Sequence, residues 1–369
     1  MDYRTTHVGS LPRPPDLNQS NVEKAIEEIV KVQIETGVDE VNDGEYRRSI
    51  FFGDISGLPG FAHGDLVWTA SAGDSVKVAV PVEKIKYDFS HPVLGNEVKA
   101  IRAVLDKLGV KRRVKVTAPA LSLMVSFYPD PSVSPARPRE ALERAREQVK
   151  KYYPTVDDYA DEIKAIIINE VRSAFDAGAD SVQLDAPEIL QFGVYGDYRE
   201  SRSKDAVRSA VQLNNELLSS IPWEKIQVHA CWGNLRNTQF NTHGHYDGAL
   251  PELYDLKAGV IGPLEVFDGI RDFDELSYFR EYEPPKDKGL ALGLVSVKTR
   301  NVEPVEVIRK RYQTAVEATD KDDLVVAPGC GFASDPISIH TLESAKRKLA
   351  NMVKAVNGSP RLPRVYSYL

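Results

Sequence analysis

The sequence predicts an α/β fold: a single (β/α)8 TIM barrel with long insertions after its second and third strands. Short apolar runs alternate with amphipathic helical stretches along the whole chain, the pattern of a parallel α/β architecture. Eight such runs can be counted, the number that closes a barrel. The 369 residues, 42% hydrophobic and 27% charged, can furnish one large core, and barrels of this class use such a length as one unit. Residues 1–369 are therefore read as one catalytic barrel domain.

The predicted strands are Thr6–Leu11, Asp39–Glu45, Val114–Ala118, Ser181–Asp185, Gln227–Trp232, Gly262–Phe267, Ala291–Val297 and Leu324–Cys330. Between the first two, Val22, Ile26, Ile29, Val30 and Ile34 recur on one helical face. Ser20 and Glu23 have capping-box spacing ahead of them, and Gly37 sits where a left-handed residue would end the helix. A helix near Val156–Ala177 lines up Ile163, Ile166, Ile167, Val171 and Ala174, with Gly178 following. Pro304 suits a first helical position before Val307, Ile308, Tyr312 and Val316, and the last helix spans about Ile339–Val356. A Gly/Pro-punctuated insertion, about residues 46–95, precedes helix Glu97–Leu108. A second excursion, about 120–154, contains the charged helix Arg139–Tyr152. Both follow strands, so they emerge on the face where barrels place active sites.

Lys plus Arg number 47 against 54 Asp plus Glu, a net charge of −7, with no basic patch of the kind nucleic acid requires. No window approaches a membrane span, and MDYRTTHVGSLPRPP lacks the apolar core of a secretory signal, so a cytoplasmic protein is expected. In a reducing compartment the two cysteines, Cys231 and Cys330, point to catalysis or metal binding before a disulfide.

The run Val228-His229-Ala230-Cys231-Trp232-Gly233-Asn234 carries the strongest chemical signal. Residues two apart on a strand share a face, so His229 and Cys231 can converge. Cys330, in Pro328-Gly329-Cys330-Gly331-Phe332, and Glu265, in Pro263-Leu264-Glu265-Val266-Phe267, end two later strands at the same barrel mouth. Two thiolates, an imidazole and a carboxylate favour Zn²⁺ over Mg²⁺ or Ca²⁺. Taken singly, either cysteine reads as a small buried hydrophobe; the strand-end placement and the His-x-Cys pair favour the metal. His243 and His245, in a polar loop, read as solvated.

Thr6-His7-Val8-Gly9-Ser10-Leu11-Pro12, Val41-Asn42-Asp43-Gly44-Glu45, Gln183-Leu184-Asp185-Ala186-Pro187, His229-Ala230-Cys231 and Gly329-Cys330-Gly331-Phe332 together resemble the cobalamin-independent methionine synthase family. The likeness runs in order over nearly the whole chain and covers the family's catalytic C-terminal barrel, without the N-terminal barrel of its full-length members. It implies His229, Cys231, Glu265 and Cys330 as zinc ligands, and Gly9, Ser10, Glu45 and Asp185 as the pocket for the amino and carboxylate groups of homocysteine. A thiol bound to Zn²⁺ is deprotonated, giving a nucleophile at neutral pH, and Glu265 is the ligand expected to yield when the thiol arrives.

The seventh strand departs from the pattern. Full-length members carry an aspartate and a histidine near the positions of Ser296 and Lys298, the histidine being the expected acid for a departing folate. Lys298 is the catalytic candidate here, and could act as an acid only if its pKa were lowered. The partners implied are a small-molecule thiol and a methyl or alkyl donor, either a folate or a corrinoid protein; the oligomeric state is left open. Short superfamily members also include epoxide-opening transferases acting on coenzyme M, for which Arg47 and Arg48 would be sulfonate contacts and Lys298 could assist at the alkoxide. Glu45 and Asp185 favour an amino-acid thiol instead. A non-catalytic zinc- and ligand-binding barrel is the remaining reading. Tyr46, Phe51, Phe52, Phe61 and Trp232 are candidates to shape the donor pocket.

Overall fold

Runs rich in valine, leucine and isoleucine become strands here because both faces of each are covered, so apolar residues can follow one another without alternation. In the computed structural model, which describes residues 3–70, 75–193, 202–234, 236–238, 241–242, 244–269, 274–335 and 337–359, nine strands follow in chain order. They are β1 (Glu40–Val41), β2 (Phe61–Thr69), β3 (Ser75–Pro81), β4 (Arg113–Pro119), β5 (Ser181–Asp185), β6 (Ile226–Ala230), β7 (Val260–Glu265), β8 (Gly289–Val295) and β9 (Val325–Pro328). Seven of these pair in parallel, in the order β1-β4-β5-β6-β7-β8-β9, as one curled sheet; β2 and β3 form a separate antiparallel hairpin.

The expectation of eight strands is corrected at the start of the chain. Thr6–Leu11 is no strand: its neighbour Thr5 makes a single parallel bridge to Val326 of β9. Thr6 N donates to the Val326 carbonyl at 3.0 Å, and Val326 N to the Arg4 carbonyl at 2.8 Å. Toward β1, a side chain stands in for the ladder. Asp39 Oδ2 accepts from Arg4 N (3.0 Å), Thr5 N (2.9 Å) and Thr5 Oγ1 (2.8 Å). The second strand is also shorter than predicted. From Asn42 onward the backbone bonds to its own side chains: Gly44 N donates to Asn42 Oδ1 at 2.8 Å and Glu45 N to Asp43 Oδ1 at 2.9 Å. Such local acceptors compete with sheet pairing.

The helices pack their apolar stripes against the sheet. Ile26, Ile29 and Val30 of helix Val22–Thr36 are buried, and Gly37 ends it at φ 82° with its N–H on the Ile34 carbonyl. The Ser20–Glu23 capping box does not form; Asn21 takes the N-cap without capping the helix through its side chain, which bonds Asn18 N and the Asp16 carbonyl instead, and Ser20 Oγ bonds Asn18. Helix Val156–Asp176 buries Ile163, Ile166, Ile167, Val171 and Ala174 and is capped by Thr155 and Asp158. Pro304 is an N-cap rather than a first helical residue, since the helix is Val305–Thr319. The last helix, Leu342–Asn357, begins at a Thr341–Ser344 capping box. One apolar cluster runs from Leu11 to Val356 through all these elements.

The two excursions are stitched together. Val67 of β2 bridges Arg137, with both N–H···O bonds at 3.0 Å, and Phe52, Trp68 and Phe127 form an aromatic knot beneath them. Among the described residues no helix is long and apolar enough to cross a membrane.

Because Asp39 takes the place of a strand ladder at the start of the N-terminal segment, Asp39→Ala is expected to destabilise the protein by about 1.5–3 kcal/mol. Urea unfolding checks this, and a loss below ~0.5 kcal/mol, typical of an indifferent surface site, would refute it.

Candidate metal and substrate site

In β4, β5 and β6 polar residues recur at every second position: Lys115 and Thr117; Ser181, Gln183 and Asp185; Gln227 and His229. Residues two apart share a face. That face is the barrel interior, since Gln227 Nε2 of β6 reaches Glu40 Oε2 of the non-adjacent β1 at 2.7 Å. The interior is thus layered, as barrels are. At the bottom, Ser181 Oγ and Gln227 Nε2 both donate to Glu40. In the middle, Lys115 Nζ donates to Thr6 Oγ1 and Gln183 Oε1, each at 2.8 Å, and to the His7 carbonyl. Burial lowers Lys115 to a pKa of about 8, against the pull of Glu40, Asp185 and Glu45.

The top layer is the site. Asp185 and His229 are register partners across β5 and β6. His229 Nδ1 lies 2.6 Å from the Pro263 carbonyl; a carbonyl only accepts, so Nδ1 carries the proton. Nε2 is left buried without a hydrogen-bond partner, facing Cys330. The Cys231 and Cys330 sulfurs are 3.4 Å apart, and the ligand atoms of His229, Cys231 and Cys330 all lie within 4.8 Å of one another. The contact with Cys231, with His229 beside it, holds the Cys330 thiol well below its ordinary pKa, while the same contact and burial push Cys231 up.

Glu265 ends β7 beside these three without joining them. Its Oε1 is paired with the Lys298 ammonium, both side chains fully buried, and its Oε2 accepts from Trp232 N at 3.1 Å. Burial raises Glu265 to about 7 despite Lys298. Burial would lower Lys298, but Glu265 and the two sulfurs outweigh it and its pKa is raised.

A small cavity opens over His229, Cys231 and Cys330, lined also by Ser10, Glu45, Asp185, Phe51 and Asn234, and by no lysine or arginine among the described residues. Glu45 Oε1 accepts from Thr117 Oγ1 at 2.9 Å, while Oε2 is buried without a partner. Gly9 stands directly behind: a Cβ there would sit 2.3 Å from Glu45 Oε1. Asp185 accepts from Gln183 Nε2 at 2.6 Å, and burial raises it to about 7 although His229 opposes the shift.

Other expectations are corrected. Arg47 pairs with Glu23 and Asp43, and Arg48 is buried against Asp54 and Thr117, so neither guanidinium is presented to the cavity. Of the five aromatics only Phe51 lines it. Phe52 and Phe61 pack on other rings, Tyr46 bonds the Pro12 carbonyl, and Trp232 Nε1 bonds the Glu265 carbonyl. His245 is held by Glu275 at 2.9 Å rather than solvated; His243 lies outside the described residues.

Four contributors escaped the sequence reading. The Arg13 guanidinium donates to the carbonyls of Ala333 (2.9 Å), Glu45 (3.2 Å) and Arg48 (2.9 Å), joining the loop after Cys330 to the turn bearing Glu45. Lys115 and Thr117 were signalled only by polar residues at period two inside an apolar strand. Glu188, one residue past Pro187, is buried with Oε1 bonded by Ser122 Oγ and Oε2 unpartnered.

The profile of the family described as "Cobalamin-independent synthase, Catalytic domain" matches residues 143–357. This chain belongs to that family. It is similar to the uncharacterized protein YxjH of Bacillus subtilis (strain 168), 25% identical over 96% of this chain and 94% of that protein. It is also similar to a methionine synthase of Sulfolobus acidocaldarius, 26% identical over 95% and 90%. Its fold matches a B12-independent methionine synthase from Shewanella sp. W3-18-1 solved with selenomethionine, at TM-score 0.70 and 19% identity, covering 96% of this chain and 97% of that one.

Burial raises Glu188 to about 8, whereas an unfolded glutamate titrates at about 4.3. Between those values the folded state holds more protons, so Glu188 makes stability fall as pH rises through that window. Glu188→Gln, which keeps an oxygen for Ser122, should remove this fall and exceed the wild type in stability above pH ~8. Urea titrations at both ends of the window test it, and an unchanged pH slope would count against it.

Proposed function

We propose that this chain is a zinc-dependent thiol methyltransferase that methylates homocysteine to methionine. The observation that carries the reading is the convergence of His229, Cys231 and Cys330 on the floor of a cavity walled by Glu45 and Asp185. The donors fit the metal: two sulfurs and an imidazole form a soft set suited to Zn²⁺, and His229 Nε2 is a buried atom in want of a partner. Glu265, beside them, is the proposed fourth and exchangeable ligand. Zinc held there would convert a neutral thiol into a thiolate able to attack a methyl donor.

The chain's own residues would do the rest. Glu45 Oε2, buried and unpartnered, and Asp185 present two carboxylates to an ammonium group, with Thr117 and Gln183 fixing their other oxygens. Ser10 offers a hydroxyl toward the substrate carboxylate. Methyl transfer to homocysteine agrees with the methionine synthases among the relatives; the donor is read as a methyl-folate or a methyl-corrinoid. Two carboxylates, with no lysine or arginine among the described lining residues, disfavour a sulfonated thiol such as coenzyme M.

Purified protein is expected to carry about one zinc per chain, lost in Cys231→Ala and in Cys330→Ala, as three-ligand sites tolerate no missing thiolate. Metal analysis decides this; zinc unaffected by both changes would sink the proposal. With zinc present, Asp185→Asn should raise the homocysteine KM roughly ten- to a hundredfold. Assays with methylcobalamin and methyltetrahydrofolate would show it, and no methionine from any methyl donor would leave a binding protein.

A further inference from the structure

Both oxygens of Glu265 are already engaged, Oε1 by the Lys298 ammonium and Oε2 by the Trp232 N–H, while His229, Cys231 and Cys330 close on one another without it. A catalytic zinc keeps three protein ligands and one position for substrate. A carboxylate that leaves such a position inside a fully buried site becomes an unpaired charge, which is costly unless a counter-ion receives it. Lys298 is that counter-ion by placement: its side chain is fully buried, and it ends on Glu265. Its backbone N–H is fixed at 3.1 Å to Ser296 Oγ, which itself donates to the Asp268 carbonyl.

We infer that Lys298 is a positioning residue that holds the Glu265 carboxylate away from the metal, so that the fourth position passes freely to the substrate thiol. With zinc held by His229, Cys231 and Cys330, the entering thiol would give up its proton to solvent, and Lys298 would keep the freed Glu265 carboxylate neutralised. In this role the seventh-strand lysine acts at the nucleophile's end of the reaction, and the donor is left to other groups. The inference rests on the zinc and homocysteine reading above.

The test uses the zinc-loaded full chain with homocysteine as probe, comparing wild type, Lys298→Met, and Lys298→Met combined with Glu265→Gln. Zinc-edge X-ray absorption counts sulfurs, and calorimetry gives homocysteine affinity. In the wild type the sulfur count should rise from two to three. Lys298→Met should retain zinc at least as tightly, because Glu265 is now given wholly to it, yet bind homocysteine tenfold or more weakly. The double variant, which buries neither charge and so also guards against misfolding of the single one, should recover most of that loss. A merely structural lysine would give no such rescue. Homocysteine affinity unchanged in Lys298→Met, or a double variant no better than the single, overturns the inference alone. Wild type without zinc, or with a sulfur count that stays at two, overturns the functional reading and the inference with it.

Discussion

The Lys115 ammonium lies between two acidic layers of the barrel, with Glu40 below and Glu45 and Asp185 above, and each of these carboxylates favours its charge. Three buried carboxylates around one axis would repel one another strongly in a low-dielectric interior. The same ammonium also does the mechanical work of closure. It ties Thr6 and the His7 carbonyl to Gln183 of β5, and Gln183 in turn donates to the Val8 carbonyl at 2.7 Å and to Asp185 at 2.6 Å. Where the N-terminal segment lacks a full ladder, this cation joins Asp39 in holding it in place and sets the charge of the site above. Fold and site are thus electrostatically one object.

Steric gaps bring His229, Cys231 and Cys330 together as much as charges do. β8 supplies none of these three, but its Gly293 is a notch: a Cβ there would meet Gly329 Cα at 2.4 Å. Gly329 N bonds the Val295 carbonyl at 2.9 Å, so the end of β9 leans across β8 toward β6. Cys330 thereby reaches Cys231 although β8 and β7 stand between their strands. Gly331 repeats the device, since a Cβ there would strike Ser10 Oγ at 2.1 Å.

Much of this was legible in the sequence, and the failures have physical reasons. Ser181–Asp185 was read with its observed limits because an apolar-flanked run between a helix and Pro187 leaves little choice. His229 and Cys231 were found because strand periodicity is local. Thr6–Leu11 failed because the acceptor that orders its start, Asp39, lies more than thirty residues away, as a side chain. Arg48 was misread for the same reason: whether a guanidinium is free depends on Asp54, Glu97 and Thr117, which only folding brings to it. Phe52 and Trp232 were misassigned because an aromatic at a barrel mouth looks alike in sequence whether it faces a ligand or another ring. The Lys298–Glu265 pair, 33 residues apart and from separate strand ends, carries no local sequence signal.

The closeness of Gly9 to Glu45 has a bearing on how this barrel could change its diet. The missing side chain at position 9 is the space into which the carboxylate is set, so the two positions are a lock and its bolt. A lineage exchanging Glu45 for a shorter or neutral residue would also gain room for a side chain at position 9. One admitting a side chain at 9 first would push the carboxylate off Thr117. On the proposed reading, drift toward substrates without an amino group has a preferred order, with position 45 moving before position 9.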